Sequence, residues 1–475
     1  MKIIQIVEGF KKGDGVGNVV SAIAEFFDRH GIENIIFKRT LVEVDLSSDA
    51  FSNDDIVLYH LAVTLDPLVK DIPCKKILVF HNITKPELLG TFDEETRILC
   101  SSGWYDLNKT KDIFSYAIAF SDYSKKCLIE YGWNKDKIDV LPIQIRLDKL
   151  NENPDEKVIE KYRDGKTNVI FTGRVYPNKK DEDIIASFAF YHHNYNNNSR
   201  LILVGNTASG DYYPSLKEYA KQLGVYEAVI FTGRVSLQEY VGYFKVADVF
   251  LCMSEHEGFC IPLVEAMCFD VPIVAYNATA VPDTLGGAGV MVDQKAPETV
   301  AQAINELITK EDYRHDIISG QRNRLAEISG TTLEKDYERC LVGIIEKVKG
   351  EEKAAVEIGN KFRRKDTLSI GSAQERTYPI VIYGAGAAGS RLYVRMRNTF
   401  ELVNICDNNR AGEFDPDLNC KIISPKEAVS EYGDANFIIS LQNRRLAFDI
   451  TCELMDAGID RNKIYFYDKM RDQVL

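Results

Sequence analysis

The chain contains no Cys-x-x-Cys pair. Its ten cysteines stand apart at positions 74, 100, 127, 252, 260, 268, 340, 406, 420 and 452. In a chain of 475 residues that scatter argues against a disulfide framework or a cysteine zinc site, and for reduced thiols in the cytoplasm. Long apolar runs are missing too, since no uninterrupted stretch approaches the roughly 18–20 residues of a membrane span. The opening Met1–Gly9 reads as a buried strand and not a signal peptide, because Glu8 and Gly9 interrupt its apolar run too early. Positive charge is in deficit: 58 Lys and Arg against 71 Asp and Glu leave −13 and a pI near 5.2. Such a chain is a poor electrostatic partner for nucleic acid or anionic lipid, which argues against a nucleic-acid-binding role.

What is present is an ordinary globular composition, 45% hydrophobic and 27% charged, over a length that calls for two or three cores. Short β-branched runs alternate with amphipathic stretches from end to end, as in α/β proteins with parallel sheets covered on both faces. The first half offers strands at Ile3–Val7, Ile56–Tyr59, Ile77–Phe80, Ala117–Phe120 and Ile138–Leu141, with helices at Val19–Arg29 and Tyr123–Tyr131. A polar stretch at Pro142–Asp164 reads as a hinge. The second alternating series has strands at Val169–Phe171, Leu201–Val204, Val229–Phe231, Val249–Cys252 and Ile273–Tyr276, with helices from Glu182, Ser215, Leu237 and Pro262. Val-Ile-Phe-Thr-Gly-Arg-Val occurs at 169–175 and verbatim at 229–235, which implies two strands of one sheet ending alike at the carboxyl edge, where open α/β sheets bind ligands. Glu334–Val348 carries Tyr337, Leu341, Ile344, Ile345 and Val348 at helical spacing. The expected organisation is a first domain over 1–150, a second over 151–350 facing it across a cleft, a charged linker at 351–377 and a small α/β domain over 378–475.

Ser254–Met267 is the most informative segment. It follows a buried strand and enters a helix with Pro262 in its first turn, where a missing N–H costs nothing. Gly258 permits a close backbone approach, and the N–H groups of Phe259, Cys260 and Ile261 at a helix start suit a phosphate. Glu257 before the turn and Glu265 inside the helix can border one pocket as acceptors for the hydroxyls of a polyol. Either acid alone reads better as a solvated loop residue or a helix-dipole partner; two acids bracketing Gly-Phe-x-x-Pro after a buried strand do not. Arg174 and Lys179 follow the strand Val169–Phe171 at the same edge, where a departing diphosphate needs charge neutralisation.

With these residues the chain resembles the retaining glycosyltransferases of family 4, which have the two-domain GT-B fold. The matching features are Glu257 and Glu265 around Gly-Phe-x-x-Pro, Gly173-Arg174 followed by Lys179, Leu201–Gly205, Phe231–Val235, Ala247–Leu251, and the glycine loop Gly15-Val16-Gly17-Asn18. Ala119–Ser124 and Ile138–Pro142 fit later landmarks, and the resemblance covers about residues 1–350. Two departures stand out: Lys180 occupies a position where the family usually has glycine, and the hinge Pro142–Arg146 lacks the common Pro-Asn-Gly.

The resemblance implies a nucleotide-diphosphate sugar donor, retention of anomeric configuration, and a glycan or glycolipid acceptor. It implies that Arg174 and Lys179 hold the diphosphate with the N–H groups near Phe259–Ile261. Glu265 accepts from the ribose hydroxyls, Glu257 positions the donor sugar, the backbone at Arg234-Val235 meets the base, and Gly15 and Gly17 let the opposite domain close over the phosphates. His81 corresponds by position to a first-domain histidine that faces the donor sugar; His60 is an acceptor-side candidate, and His256 reads as structural. No dedicated general base is evident; the resemblance implies that the leaving phosphate takes the acceptor proton and that neither cofactor nor metal is required. Asp181-Glu182-Asp183 suits a helix start and Asp415-Pro416-Asp417 a loop, so neither Asp-x-Asp string is read as a metal site. Peripheral membrane contact and oligomeric state stay open.

In the last domain Ile380–Tyr383 runs into Gly384, Gly386 and Gly389 in G-x-G-x-x-G spacing, and Asp407 ends the next apolar strand at the separation of a ribose-binding acid. An NAD-type nucleotide and a degenerate fold serving assembly both fit. Two rival functions remain: an NAD-dependent oxidoreductase driven by this domain, and a non-catalytic sugar-nucleotide sensor.

Overall fold

The computed structural model describes residues 1–7, 15–37, 51–145, 150–207 and 211–348. Beyond 378 it describes residues 379–385, 389–390, 393, 403–416, 418–433, 435–440, 450–451, 453–459, 463–468 and 473–474. The linker expected at 351–377, Gly386, Arg146 and Asp417 lie outside the described residues. Two compact units emerge, one of residues 1–39 and 47–356, the other of 40–46 and 357–475.

The first unit holds two six-stranded sheets. In the first lobe the strands are β1 (Ile3–Val7), β2 (Asn34–Phe37), β3 (Ile56–Leu61), β4 (Lys75–Phe80), β5 (Tyr116–Ala119) and β6 (Ile138–Val140), in the spatial order β2-β1-β3-β4-β5-β6. Every pairing is parallel. Sheets of this kind are covered on both faces, so their central strands are mostly apolar and buried along their length. Accordingly β1 and β3 are buried at every position. The chain leaves β1 to one side for β2 and returns on its other side as β3. That reversal opens a crevice at the carboxyl ends of β1 and β3, where Val7 is in register with His60.

The second lobe repeats the plan with β7 (Thr167–Thr172), β8 (Ser199–Val204), β9 (Val229–Gly233), β10 (Val249–Cys252), β11 (Ile273–Tyr276) and β12 (Val290–Val292), ordered β12-β11-β10-β7-β8-β9. Both copies of the heptapeptide repeat enter this one sheet, on β7 and β9 with β8 between them. Its reversal lies between β7 and β10; the loops leaving those two strands carry Arg174, Lys179 and Glu257, and the helix that follows β10 carries Glu265. The stretch expected as a plain hinge contains a helix, Glu156–Tyr162, capped by Asp155 accepting from Lys157 and Val158 N–H.

After the helices Pro297–Thr309 and Glu311–Glu327, the chain returns to the first lobe. Tyr337, Leu341, Ile344, Ile345 and Val348 pack there with Ile3, Val19, Phe26 and Ile77. The Tyr337 hydroxyl accepts the Gln144 N–H at 3.0 Å. Phe259 and Val264 of the second lobe join the same apolar cluster, so the turn before the helix Ile261–Cys268 is anchored against the first lobe. No helix among the described residues is long and apolar enough to cross a membrane.

The second unit contains β13 (Ile380–Tyr383), β14 (Val403–Cys406), the short antiparallel pair β15 (Phe414–Asp415) and β16 (Cys420–Lys421), β17 (Asn436–Ile439), β18 (Ile464–Asp468) and β19 (Gln473–Val474). Its main sheet is ordered β14-β13-β17-β18-β19, parallel except for β19. Gly389 must lack a side chain, because a Cβ there would stand 1.8 Å from the Gly384 carbonyl oxygen. Asp407 braces the backbone around it, since its carboxylate accepts from Ala385 N–H at 2.8 Å, Asn409 N–H at 2.8 Å and Arg410 N–H at 3.3 Å.

Candidate functional site

The loop leaving β7 bends at Gly173 and makes a single 3-10 turn, Pro177–Lys179, before the helix Asp181–Asn194. Lys180 joins turn to helix in the left-handed conformation, at φ 57° and ψ 49°. Glycine takes that conformation without a Cβ penalty, which gives a physical reason for the glycine seen at this position in the resembling family. Asn178 then ties the loop to the one leaving β10, donating from Nδ2 to the His256 carbonyl at 2.9 Å and accepting the Glu255 N–H at 3.0 Å.

Those ties bring Lys179 Nζ to 2.6 Å from Glu257 Oε1, across 78 residues of chain. The side chains are 19% and 9% exposed. Burial, the largest single influence, would depress the Lys179 ammonium, but the Glu257 carboxylate together with the nearby Cys260 and Cys252 outweighs it and holds the lysine above its ordinary value. Glu265 stands inside the helix Ile261–Cys268 and accepts from the Tyr240 hydroxyl at 2.6 Å; that hydroxyl also lies 3.0 Å from Thr172 Oγ1 at the end of β7. Burial raises the Glu265 carboxyl, opposed by the Tyr240 hydrogen bond. Cys260 caps the helix in the left-handed region at φ 73°, with Pro262 in the first turn. Among the described residues no acceptor meets the N–H groups of Phe259, Cys260 or Ile261. A half-buried lysine, two carboxylates and N–H groups without acceptors at the helix start therefore share one sheet edge.

Glycine at 258 is demanded by the facing lobe. A Cβ there would stand 2.6 Å from the His81 carbonyl oxygen and 3.2 Å from Asn82 Cβ. Ser121 Oγ donates to the Gly258 carbonyl at 2.9 Å, and Tyr123 N–H donates to Asp283 Oδ2 at 2.6 Å. The seam places His81, at the end of β4, beside the residue following Glu257. His81 Nε2 lies 2.9 Å from His60 Nδ1, and His60 Nε2 lies 3.0 Å from Gln5 Oε1. Burial pushes the His81 imidazole down to about 3, and burial together with His81 puts His60 well below its ordinary value.

Arg174 is exposed, with its guanidinium 3.6 Å over the Tyr176 ring. Tyr176 in turn donates to Asp93 of the first lobe at 2.5 Å. Arg234 and Val235 leave β9, at the same carboxyl edge but two strands from β7. Gly15 and Gly17 begin the helix Gly15–Arg29, and residues 8–14 before them lie outside the described residues. His256 is 3% exposed, and neither of its ring nitrogens has a partner among the described residues.

Each member of the Asp181–Asp183 string has a protein partner. Asp181 accepts the Tyr176 N–H at 3.2 Å, Glu182 accepts from the Tyr212 hydroxyl at 2.5 Å, and Asp183 pairs with Lys295 at 2.7 Å. No group of three or more His, Cys, Asp and Glu among the described residues is placed to hold a metal ion. Sequence reasoning missed Tyr240, Tyr176 and Gln5. Tyr240 and Gln5 lie in helix and strand patterns that mark them only as element positions, and their partners are remote in sequence.

The sequence model of the glycosyl transferases group 1 matches residues 152–324. A GDP-mannose-dependent alpha-(1-6)-phosphatidylinositol monomannoside mannosyltransferase of Mycobacterium tuberculosis is 27% identical over 187 residues, 37% of this chain and 48% of that enzyme. The chain spans about half the length of the curated relatives it matches. Among solved structures, a glycosyltransferase from Rickettsia africae aligns with a TM-score of 0.57 and 18% identity, covering 73% of this chain and 98% of that one. HepE of Anabaena, solved with UDP and glucose, aligns with a TM-score of 0.53 and 18% identity over 74% of this chain and 100% of that one. The first unit thus has the two-sheet GT-B fold of glycosyltransferases, and its second lobe, over residues 152–324, is similar to the glycosyl transferases group 1.

Proposed function

We propose that this protein is a retaining glycosyltransferase that moves a sugar from a nucleotide-diphosphate sugar to a glycan or glycolipid acceptor, without a metal ion. The observation that carries the reading is the part-buried Lys179–Glu257 pair at 2.6 Å on the carboxyl edge of the second sheet. The phosphatidylinositol-mannoside specificity of the mycobacterial relative and the UDP bound by the Anabaena structure support the choice of acceptor and donor classes.

Breaking the bond between sugar and diphosphate leaves negative charge on the departing phosphate, and fixed cations and N–H dipoles lower that barrier. Lys179 supplies a cation kept charged by Glu257. Arg174, stacked over Tyr176 and exposed to the cleft, supplies a second, and the N–H groups of Phe259, Cys260 and Ile261 add neutral donors. Glu257 retains Oε2 for a hydroxyl of the donor sugar. Glu265 has Oε1 for the ribose while Tyr240 occupies Oε2. Arg234 and Val235 border the base, and Gly15 and Gly17 lie under the phosphates from the first lobe. The leaving phosphate accepts the proton from the attacking hydroxyl. Nine described cysteines are free, which supports a reducing, cytoplasmic setting.

The test is transfer of radiolabel from a panel of sugar nucleotides to glycan and glycolipid acceptors in excess chelator. Transfer with the anomeric configuration retained is expected. Strict dependence on Mg²⁺ or Mn²⁺ would overturn the metal-free site, and nucleotide binding without transfer would favour a sensor.

A further inference from the structure

We propose that Gln5 and His60 are positioning residues that hold His81 as its Nε2–H tautomer, so that His81 Nδ1 offers a lone pair to a hydroxyl of the donor sugar. The sugar as partner rests on the glycosyl-transfer reading; the tautomer does not.

Gln5, fully buried in the middle of β1, has Nε2 3.2 Å from the Val20 carbonyl of the helix Gly15–Arg29. A carbonyl only accepts, so the NH₂ of Gln5 faces Val20 and its Oε1 faces His60; the flipped amide would set two oxygens against each other. Oε1 also only accepts. His60 Nε2, 3.0 Å away, therefore carries a hydrogen. His60 is 4% exposed, and burial keeps it neutral, so its Nδ1 is bare. That bare nitrogen lies 2.9 Å from His81 Nε2, which must then be the donor. His81, also kept neutral by burial, is left with an unprotonated Nδ1. In a neutral imidazole the bond made by one nitrogen decides the state of the other.

Two buried groups, Gln5 and His60, and the half-buried His81 thus transmit one polarity from a helix carbonyl to the cleft, through residues contributed by three adjacent strands or their ends, β1, β3 and β4. The Phe120 ring, with its centroid 5.0 Å from that of His81, packs against the imidazole. His81 Nδ1 has no partner among the described residues, and the His81 carbonyl abuts Gly258, next to Glu257. A lone pair there accepts from a sugar hydroxyl and repels a carboxylate or phosphate oxygen. The opposite tautomer would invert that preference.

The test uses the full chain labelled with ¹⁵N-histidine and two-bond ¹H–¹⁵N correlation of the seven histidines, assigned with His60→Asn and His81→Asn. His60 and His81 should both show protonated Nε2 and bare Nδ1. A protonated His81 Nδ1 in the unsubstituted protein overturns the proposal without needing any variant. Gln5→Leu should mix the His81 tautomers and lower kcat/KM for the sugar nucleotide about tenfold, the worth of one hydrogen bond, while leaving affinity for the free nucleoside diphosphate unchanged. His60→Asn, whose Oδ1 takes the place of Nδ1 as acceptor, should retain more transfer than His60→Leu. Equal loss of diphosphate binding would mark a merely structural role and refute the positioning claim. Absence of transfer from every donor would remove the sugar hydroxyl as partner, and the spectra would still decide the tautomer.

Discussion

Replacing Lys179 by methionine keeps the length of the side chain and removes its charge. Two ions 2.6 Å apart attract by about 6 kcal/mol at an effective dielectric of about 20. Desolvating them opposes much of that gain, so the pair itself adds little net stability. Removing one partner is different, because Glu257, 9% exposed, stays behind as an uncompensated carboxylate. Buried pairs broken in this way cost about 3–5 kcal/mol; the partial exposure of Lys179 to the cleft lowers the expectation to about 2–4 kcal/mol. That corresponds to a fall of roughly 4–16 °C in the unfolding midpoint of a lobe this size. The double variant Lys179→Met/Glu257→Gln should recover more than half of the loss, since it leaves no unpaired charge. Transfer should behave in the opposite way. Losing one group that stabilises the departing charge costs about 10²–10³ in kcat, and the double variant should be no faster than Lys179→Met alone. Scanning calorimetry and initial transfer rates on the three variants separate the two effects. Stability and transfer recovering together would refute the assignment of Lys179 to the leaving group, and near-normal turnover by Lys179→Met would falsify it outright.

Other outcomes follow from the same geometry. Gly258→Ala should lose most transfer and about 1–3 kcal/mol of stability, because its Cβ meets the backbone of the facing lobe at 2.6 Å; unchanged rates would show that the seam yields freely. Lys180→Gly should keep stability within about 1 kcal/mol in thermal melts, as relief of a left-handed residue offsets loss of partly exposed ion pairs. His256 is held down at about 4 by burial. The unfolded chain gains that proton below about pH 6.5 while the folded chain does not, so stability present above pH 6.5 is lost as pH falls towards 4, by about 1.4 kcal/mol per unit. Asp181, raised to about 8 by burial, acts in the opposite sense, so the comparison must be with a single variant. His256→Asn should show a shallower fall in urea midpoint between pH 7 and pH 5, and an identical slope would place His256 outside the buried set.

The central strands were legible because parallel sheets need near-continuous apolar runs: Ile77–Phe80 and Val249–Cys252 are such runs, and Ile3–Val7 is one interrupted only by Gln5. Two of the four edge strands of these sheets, β2 and β12, escaped. Asn34–Phe37 has no fully buried position and Val290–Val292 is three residues long, so neither leaves a pattern of its own. The helix Glu94–Asp106 buries only Cys100, Gly103 and Asp106, too little to mark an apolar stripe, although Asp93 caps it. At the site, Lys179 and Glu257 were found because each follows a strand at the same carboxyl edge, a rule that needs no knowledge of register. Gln5, His60 and His81 were not joined, because β1, β3 and β4 come from separate parts of the chain and only their pairing sets which side chains meet. Gly258 was read as room for a ligand; its tightest neighbour is the His81 carbonyl, which no spacing within its own segment reveals. Asp407 had the spacing of a ribose-binding acid, yet backbone N–H groups of its own unit hold the carboxylate.

The most direct measurement is difference density from crystals of the full chain soaked with UDP and, separately, GDP. A diphosphate within hydrogen-bonding distance of Lys179 and Arg174, with its ribose on Glu265, is the expected result. A nucleotide bound elsewhere, with the Lys179–Glu257 pair intact and its surroundings empty, would contradict the cradle on which the proposed reaction depends.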